Sequence, residues 1–141
     1  MEKTNNSAAP ITLYLLNEEF SICKVSDYNK VDLTRPFCFV EKTDEENSLI
    51  CETDAVPDNT TDREDGWKAF RIMGTLDVSL VGILAKISAL LAKAEIGIFA
   101  ISTYNTDYIQ CCAARRSYSM AVVWAVIWPI GSSKVPLTTR I

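Results

Sequence analysis

The sequence predicts an α+β fold: a β-sheet with helix packed on one face. Three observations carry this. The first half consists of short runs of β-type residues separated by polar turns. Residues 80–94 repeat apolar side chains at helical spacing. The second half reads strand, helix, strand, turn, strand.

Taken in order, Ile11 to Leu16 is a β-type run, Asn17-Glu18-Glu19 a turn, and Phe20 to Val25 a second alternating run. Asp27 to Asp32 is polar and loop-like. Pro36 introduces a short strand, Phe37 to Val40. Thr43 to Asn47 forms a charged turn, and Ser48 to Glu52 returns as a strand. Residues 53–66 are polar, contain Pro57 and end on Gly66. They are expected to hold the linker, placed at 59–66.

Trp67 to Met73 alternates again and stops at Gly74. Leu80, Ile83, Leu84, Ile87, Leu90, Leu91 and Ala94 then follow the i, i+3, i+4, i+7 rule of an amphipathic helix. Asp77 and Ser79 both suit an N-cap, because their side-chain oxygens accept orphan backbone N–H groups. Gly97 follows the helix. Ile98 to Thr103 is a strand, Asn105 a turn residue, and Tyr108-Ile109 opens another strand. The strands before and after the helix should run parallel through a right-handed crossover, and the economical arrangement is ferredoxin-like. One further helix and strand would complete it. Residues 111–141 do not supply them in recognisable form. Their apolar stretch, Ser119 to Ile130, is shorter than the ~20 residues of a membrane span and reads as buried strand or helix.

Composition narrows the function. Of 141 residues 48% are hydrophobic and 23% charged, an ordinary globular balance. The net charge of −4 and the absence of any basic run beyond Arg115-Arg116 argue against nucleic acid. The acidic residues between Glu41 and Asp65 read as a solvated surface. With no histidine, the chain lacks the commonest general base and metal ligand. Its five cysteines, Cys23, Cys38, Cys51, Cys111 and Cys112, form no CxxC pair and read as small buried hydrophobes. The polar start, residues 1–10, is expected to be disordered and not a signal peptide. No enzyme chemistry, cofactor, metal or membrane is expected, and the compartment reads as reducing and cytoplasmic.

The run from Trp67 to Leu84 resembles the start of an ACT domain, and Ile96 to Ile109 resembles its second and third strands. Leu13 to Cys23 and Ser48 to Cys51 are similar to the shortened first unit of small tandem-ACT proteins, relatives of the regulatory ACT pairs of aspartate kinases and of the animal cytosolic arginine sensor. The resemblance implies tandem βαββαβ units: a first unit at 11–58, a linker at 59–66, an ACT domain at 67–110 without its last helix and strand, and a divergent tail at 111–141. It also implies a regulatory module that binds a free amino acid and self-associates through its ACT units. The implied ligand contacts are Gly74, Thr75, Leu76, Asp77, Val78, Ser79 and Gly82, with Ser102, Thr103, Asn105, Thr106 and Asp107 beside them. Physics agrees with the place. A helix N-terminus suits an α-carboxylate, and Asp77 is the candidate to hold the ammonium. Asp77 and Ser79 serve equally as helix caps, and the family commonly has Asp where this chain has Asn105. A structural oligomerisation module without a ligand is the alternative.

Overall fold

The computed structural model describes residues 12–73 and 80–112. Seven strands, β1 (Thr12–Leu15), β2 (Phe20–Val25), β3 (Phe39–Lys42), β4 (Asn47–Glu52), β5 (Thr60–Met73), β6 (Ile98–Ser102) and β7 (Asp107–Cys112), share one sheet with helix α1 (Leu80–Lys93). The sheet order is β3-β4-β2-β5-β7-β6, with β1 also on β5, and each pairing is antiparallel.

β5 is the spine. It runs for 14 residues straight through the expected linker at 59–66, which is therefore strand from Thr60 onward. The misleading signal was its polarity. Asp62, Arg63 and Glu64 are exposed on both faces, yet they pair in register with Lys24, Cys23 and Ile22 of β2, and the backbone ladder needs no apolar face. Gly66 adopts φ 83 where the β2–β5 register shifts, the left-handed conformation that only glycine takes without steric cost.

The turn at Asn17–Glu19 does not reverse the chain. β1 and β2 lie along the same edge of β5, β1 against Phe70–Met73 and β2 against Thr60–Trp67. Between them the Leu16 N–H donates to the Ala69 carbonyl at 2.9 Å, which holds the chain on that edge. As a result β1, β5, β7 and β6 make a four-stranded antiparallel sheet in ferredoxin-like order. The place of the last strand, expected to be missing, is filled from the N-terminal side. β5 and β6 run the same way with β7 between them, as a crossover through α1 requires.

α1 packs on one face of this sheet. Ile87 and Leu91 are fully buried in a core with Leu13, Phe70, Ile72, Ile96, Ile109 and Cys111. α1 is closed at Glu95, just past Lys93 and ahead of Gly97. Glu95 takes φ 57, its N–H donates to the Ala92 carbonyl at 3.0 Å, and the Ile96 N–H donates to the Leu91 carbonyl at 2.9 Å. This is a Schellman closure, with Ile96 against Leu91 as its apolar contact.

The opposite face buries Leu16, Phe20, Ile50, Trp67, Ala69 and Ile101. Here the sheet is rolled. The Phe39 ring on edge strand β3 lies 5.2 Å from Tyr108 on β7, four strand positions away. A flat sheet would separate those strands by about 19 Å. β3 starts at Phe39 and not at Phe37, because Phe37 sits at φ 58 and interrupts the extended run. From there its ring meets Phe20 and Tyr108 edge-on.

Candidate functional site

Of the sequence-predicted residues, Ser102, Thr103, Asn105, Thr106 and Asp107 lie in the β6–β7 hairpin, beside the end of β5. Pairing of Arg71 with Tyr108 sets the start of β7 level with Ile72, where β5 is about to end. The β6–β7 hairpin is closed locally. The Thr103 N–H and its hydroxyl both donate to the Thr106 carbonyl at 2.8 Å. The Thr106 hydroxyl donates across to the Ile72 carbonyl, tying the hairpin to β5. Ser102 and Asp107 are register partners and close the strands of this hairpin.

Ser102, Thr103 and Asn105 are exposed, Thr106 is half-buried, and Asp107 is only 6% exposed. Asp107 alternates with Ile109 and Cys111, so it lies on the α1 side of the sheet. Among the described residues no lysine or arginine pairs with it. Gly82 lies in the first turn of α1 and is exposed. Gly74, Thr75, Leu76, Asp77, Val78 and Ser79, between β5 and α1, lie outside the described residues, as do Ser119 to Ile130 and the polar start.

Elsewhere the chemistry is sparse. A shallow recess in the first half is lined by Val31, Arg35, Cys38, Leu49, Cys51 and Ala55. At its rim Arg35 donates to Glu52 and, at 2.8 Å, to Asp54. A hydrogen bond from Cys51 pulls the Cys23 thiol below its ordinary pKa, and the same contact, with burial, pushes Cys51 up. Burial also raises Cys38. Among the described residues no group of three His, Cys, Asp or Glu side chains is placed to hold a metal ion, and no helix is long and apolar enough to cross a membrane.

Residues 62–109, from the middle of β5 to β7, match the ACT-domain family model. Over this segment the chain is similar to ACT domains. The match begins inside the first half of β5, so the matched segment takes in residues read from sequence as linker. No curated protein sequence matches the chain. Solved structures share its fold. A protein from Agobacterium tumefaciens is 24% identical with a TM-score of 0.74, over 88% of this chain and 91% of that one. An aspartate kinase from Clostridium acetobutylicum is 13% identical with a TM-score of 0.57, over 92% of this chain and 36% of the kinase. A domain described as the C-terminal regulatory domain of aspartate kinase from Porphyromonas gingivalis is 14% identical with a TM-score of 0.52, over 87% of this chain and 96% of that one.

Sequence reasoning missed one feature of this sheet. Gln110 of β7 is fully buried on the face away from α1, near Trp67 and Arg71. Nothing in the run Ile109-Gln110-Cys111 signals that burial, which only the strand register makes visible.

Proposed function

We propose that this chain is a small regulatory module that binds a free amino acid and acts by conformational or oligomeric change, not by catalysis. Asp107 carries the reading. This carboxylate, 6% exposed on the α1 side of the sheet, could hold an arriving ammonium group through a charge-assisted hydrogen bond. The ligand would sit where β5 passes into α1. Gly74, Thr75, Leu76, Asp77, Val78 and Ser79 would offer backbone N–H groups to its α-carboxylate, with Asp77 a second anchor for the ammonium. Gly82, Ser102, Thr103, Asn105 and Thr106 would border it. The expectation of a cytoplasmic, cofactor-free protein goes with this reading.

The test is a thermal-shift screen of the full chain against the twenty amino acids. A ligand at 100 times its Kd adds ~2.7 kcal/mol, a rise of several degrees for a chain of this size. One selective shift, lost in Asp107→Asn, is the expected result. No shift with any amino acid would overturn the proposal.

One observation favours the alternative, an oligomerisation module. Among the described residues β6 is an edge strand; it and the turn after it, Ile98 to Tyr104, carry no charge and no proline, and Phe99 and Tyr104 are 46% and 100% exposed. An unguarded edge of this kind pairs readily with a second strand. Association that depends on protein concentration but ignores every amino acid would select this reading.

A further inference from the structure

We propose that Cys38 and Cys51 form a peroxide-reactive modification site in the first half of the chain: hydrogen peroxide oxidises Cys38, and Cys51 then closes a reversible disulfide with it. The site stands independently of the amino-acid reading.

The register brings the two thiols together. β3 and β4 pair antiparallel, with Phe39 across from Ile50. One residue earlier the same register sets Cys38 across from Cys51, and alternation puts both on the face away from Phe39 and Ile50. The packing agrees. Cys51 is buried in a core with Cys23, Val25 and Leu49, and Cys38 packs against that core. Directly opposed residues of an antiparallel pair have Cα atoms ~4.5–5.5 Å apart, inside the ~4.4–6.8 Å that a disulfide spans. Cys23 is the other thiol beside Cys51. It pairs with Leu49 and so stands diagonal to Cys51, where the Cα separation is ~7–8 Å. A bridge there would need backbone movement. The fold thus favours Cys38 as the partner of Cys51.

Access orders the steps. Of the four cysteines described, Cys38 is half-buried, whereas Cys23, Cys51 and Cys111 are buried. Cys38 and Cys51 both line the shallow recess beside Arg35, which has room for about one water molecule. Hydrogen peroxide is little larger than water, whereas a bulky oxidant such as oxidised glutathione does not fit. The Cys38 sulfur attacks one peroxide oxygen, the O–O bond breaks, and the second oxygen leaves with the thiol proton as water. Cys38 is now a sulfenic acid, oxidised by two electrons. The Cys51 sulfur then attacks the Cys38 sulfur. The S–S bond forms, the S–O bond breaks, and hydroxide leaves with the Cys51 proton as a second water. Two thiols and one peroxide give one disulfide and two waters. Burial, and then Asp32, pushes the Cys38 thiol above its ordinary pKa, which keeps thiolate scarce and the first step slow. The finished bond ties the start of β3 to β4, and in a reducing compartment it would be transient.

The experiment uses the full chain, first reduced, then held with millimolar hydrogen peroxide or with oxidised glutathione at the same concentration. Peptide mapping by mass spectrometry locates the products in wild type, Cys38→Ala, Cys51→Ala and Cys23→Ala. Peroxide should give a Cys38–Cys51 disulfide in wild type and in Cys23→Ala. That bond should raise the melting temperature by several degrees and be undone by dithiothreitol. Cys51→Ala should hold a sulfenic acid at Cys38 that dimedone traps. Cys38→Ala should keep Cys23 and Cys51 reduced. Oxidised glutathione should leave Cys38 unmodified. A Cys23–Cys51 bridge, a sulfinic acid at Cys38 of wild type without a disulfide, or no reaction with peroxide overturns the site. A glutathione adduct on Cys38 formed as fast as the peroxide product overturns the assignment of the oxidant. If a variant fails to fold, the wild-type map still decides.

Discussion

Replacing Leu13 by alanine tests whether β1 is a true strand of the four-stranded sheet or a loose arm beside it. Leu13 is 4% exposed, stands opposite Ile72, and shares a core with Phe70, Ile87, Leu91 and Ile109. The substitution removes three carbons from that core. At ~0.8 kcal/mol per buried methylene the transfer loss is about 2.4 kcal/mol. The cavity left behind adds to this, and core leucine-to-alanine changes cost about 2–5 kcal/mol altogether. Among the described residues β1 has four residues and one pairing partner, so it can settle partly into the gap, and a value near the lower end, about 3 kcal/mol, is expected. The melting temperature should fall by roughly 10 °C. Urea unfolding followed by far-ultraviolet circular dichroism gives the free energy, and hydrogen exchange of the β5 amides between Phe70 and Ile72 should accelerate with it. A cost below about 0.5 kcal/mol, the size of a surface substitution, would refute the assignment of β1 to this sheet.

Three further outcomes are expected. Glu95→Gly relieves a left-handed residue, worth about 1–2 kcal/mol, and returns part of it as glycine chain entropy. A net gain of roughly 0.5–1 kcal/mol should appear in urea titration, and a loss would mean that the glutamate side chain matters more than its backbone. The Ser21 hydroxyl first, and then Arg63, holds the Asp65 carboxyl below its ordinary pKa, and Lys30 and Thr34 do the same for Asp58 and Asp32. A depressed folded-state pKa gives stability that is present above the unfolded value, about 3.9 for aspartate, and lost as pH falls through the folded one. Melting temperature should thus be flat above about pH 5 and decline below pH 4, less steeply in Asp65→Asn, whereas an unchanged slope would remove Asp65 from the account. Ala100→Lys places a charge on exposed edge strand β6 and should shift any self-association toward monomer in light scattering. Undiminished association would move the contact to another surface.

The parts of the fold legible in the sequence are those where burial has a period. α1 was expected from Leu80 to Ala94 and spans Leu80–Lys93, because Leu84, Ile87 and Leu91 repeat on the face the sheet buries. β2 and β6 were read from their apolar character and lie within a residue of expectation. The first half of β5 was illegible for the opposite reason. Its residues face solvent on both sides, so its strand character rests on backbone pairing with β2 and leaves no apolar signature. The role of β1 was also hidden, since nothing local in Leu13-Tyr14-Leu15 says which strand it will join. At the candidate site, Ser102, Thr103, Asn105, Thr106 and Asp107 were named from resemblance, and the hairpin brings them to the end of β5 through Thr106 and Ile72. The burial of Asp107 could not be read from a turn-like sequence, since it comes from the strands and helix around it.

Because β5 is shared, the two halves of the chain should unfold as one. β2 pairs with Thr60–Trp67, β1 with Phe70–Met73, and β7 with Trp67–Arg71. Trp67 belongs to both halves at once, since it faces Phe20 in one and Cys112 in the other. Releasing β7 or β1 would strip the second half of β5 of its ladder on one edge and expose Phe70 and Ile72. Releasing β2 would do the same to the first half. Neither half keeps a closed set of hydrogen bonds alone, so partial unfolding leaves costly unpaired backbone. Thiol labelling of Cys23 and Cys51, buried in the first half, and exchange of amides in α1 should therefore follow the same urea transition. A ligand that stabilises the junction between β5 and α1 should then slow labelling of both thiols, although neither touches it. Separate transitions for thiols and helix would show that β5 joins the halves without coupling them, and signalling between them would need a different route.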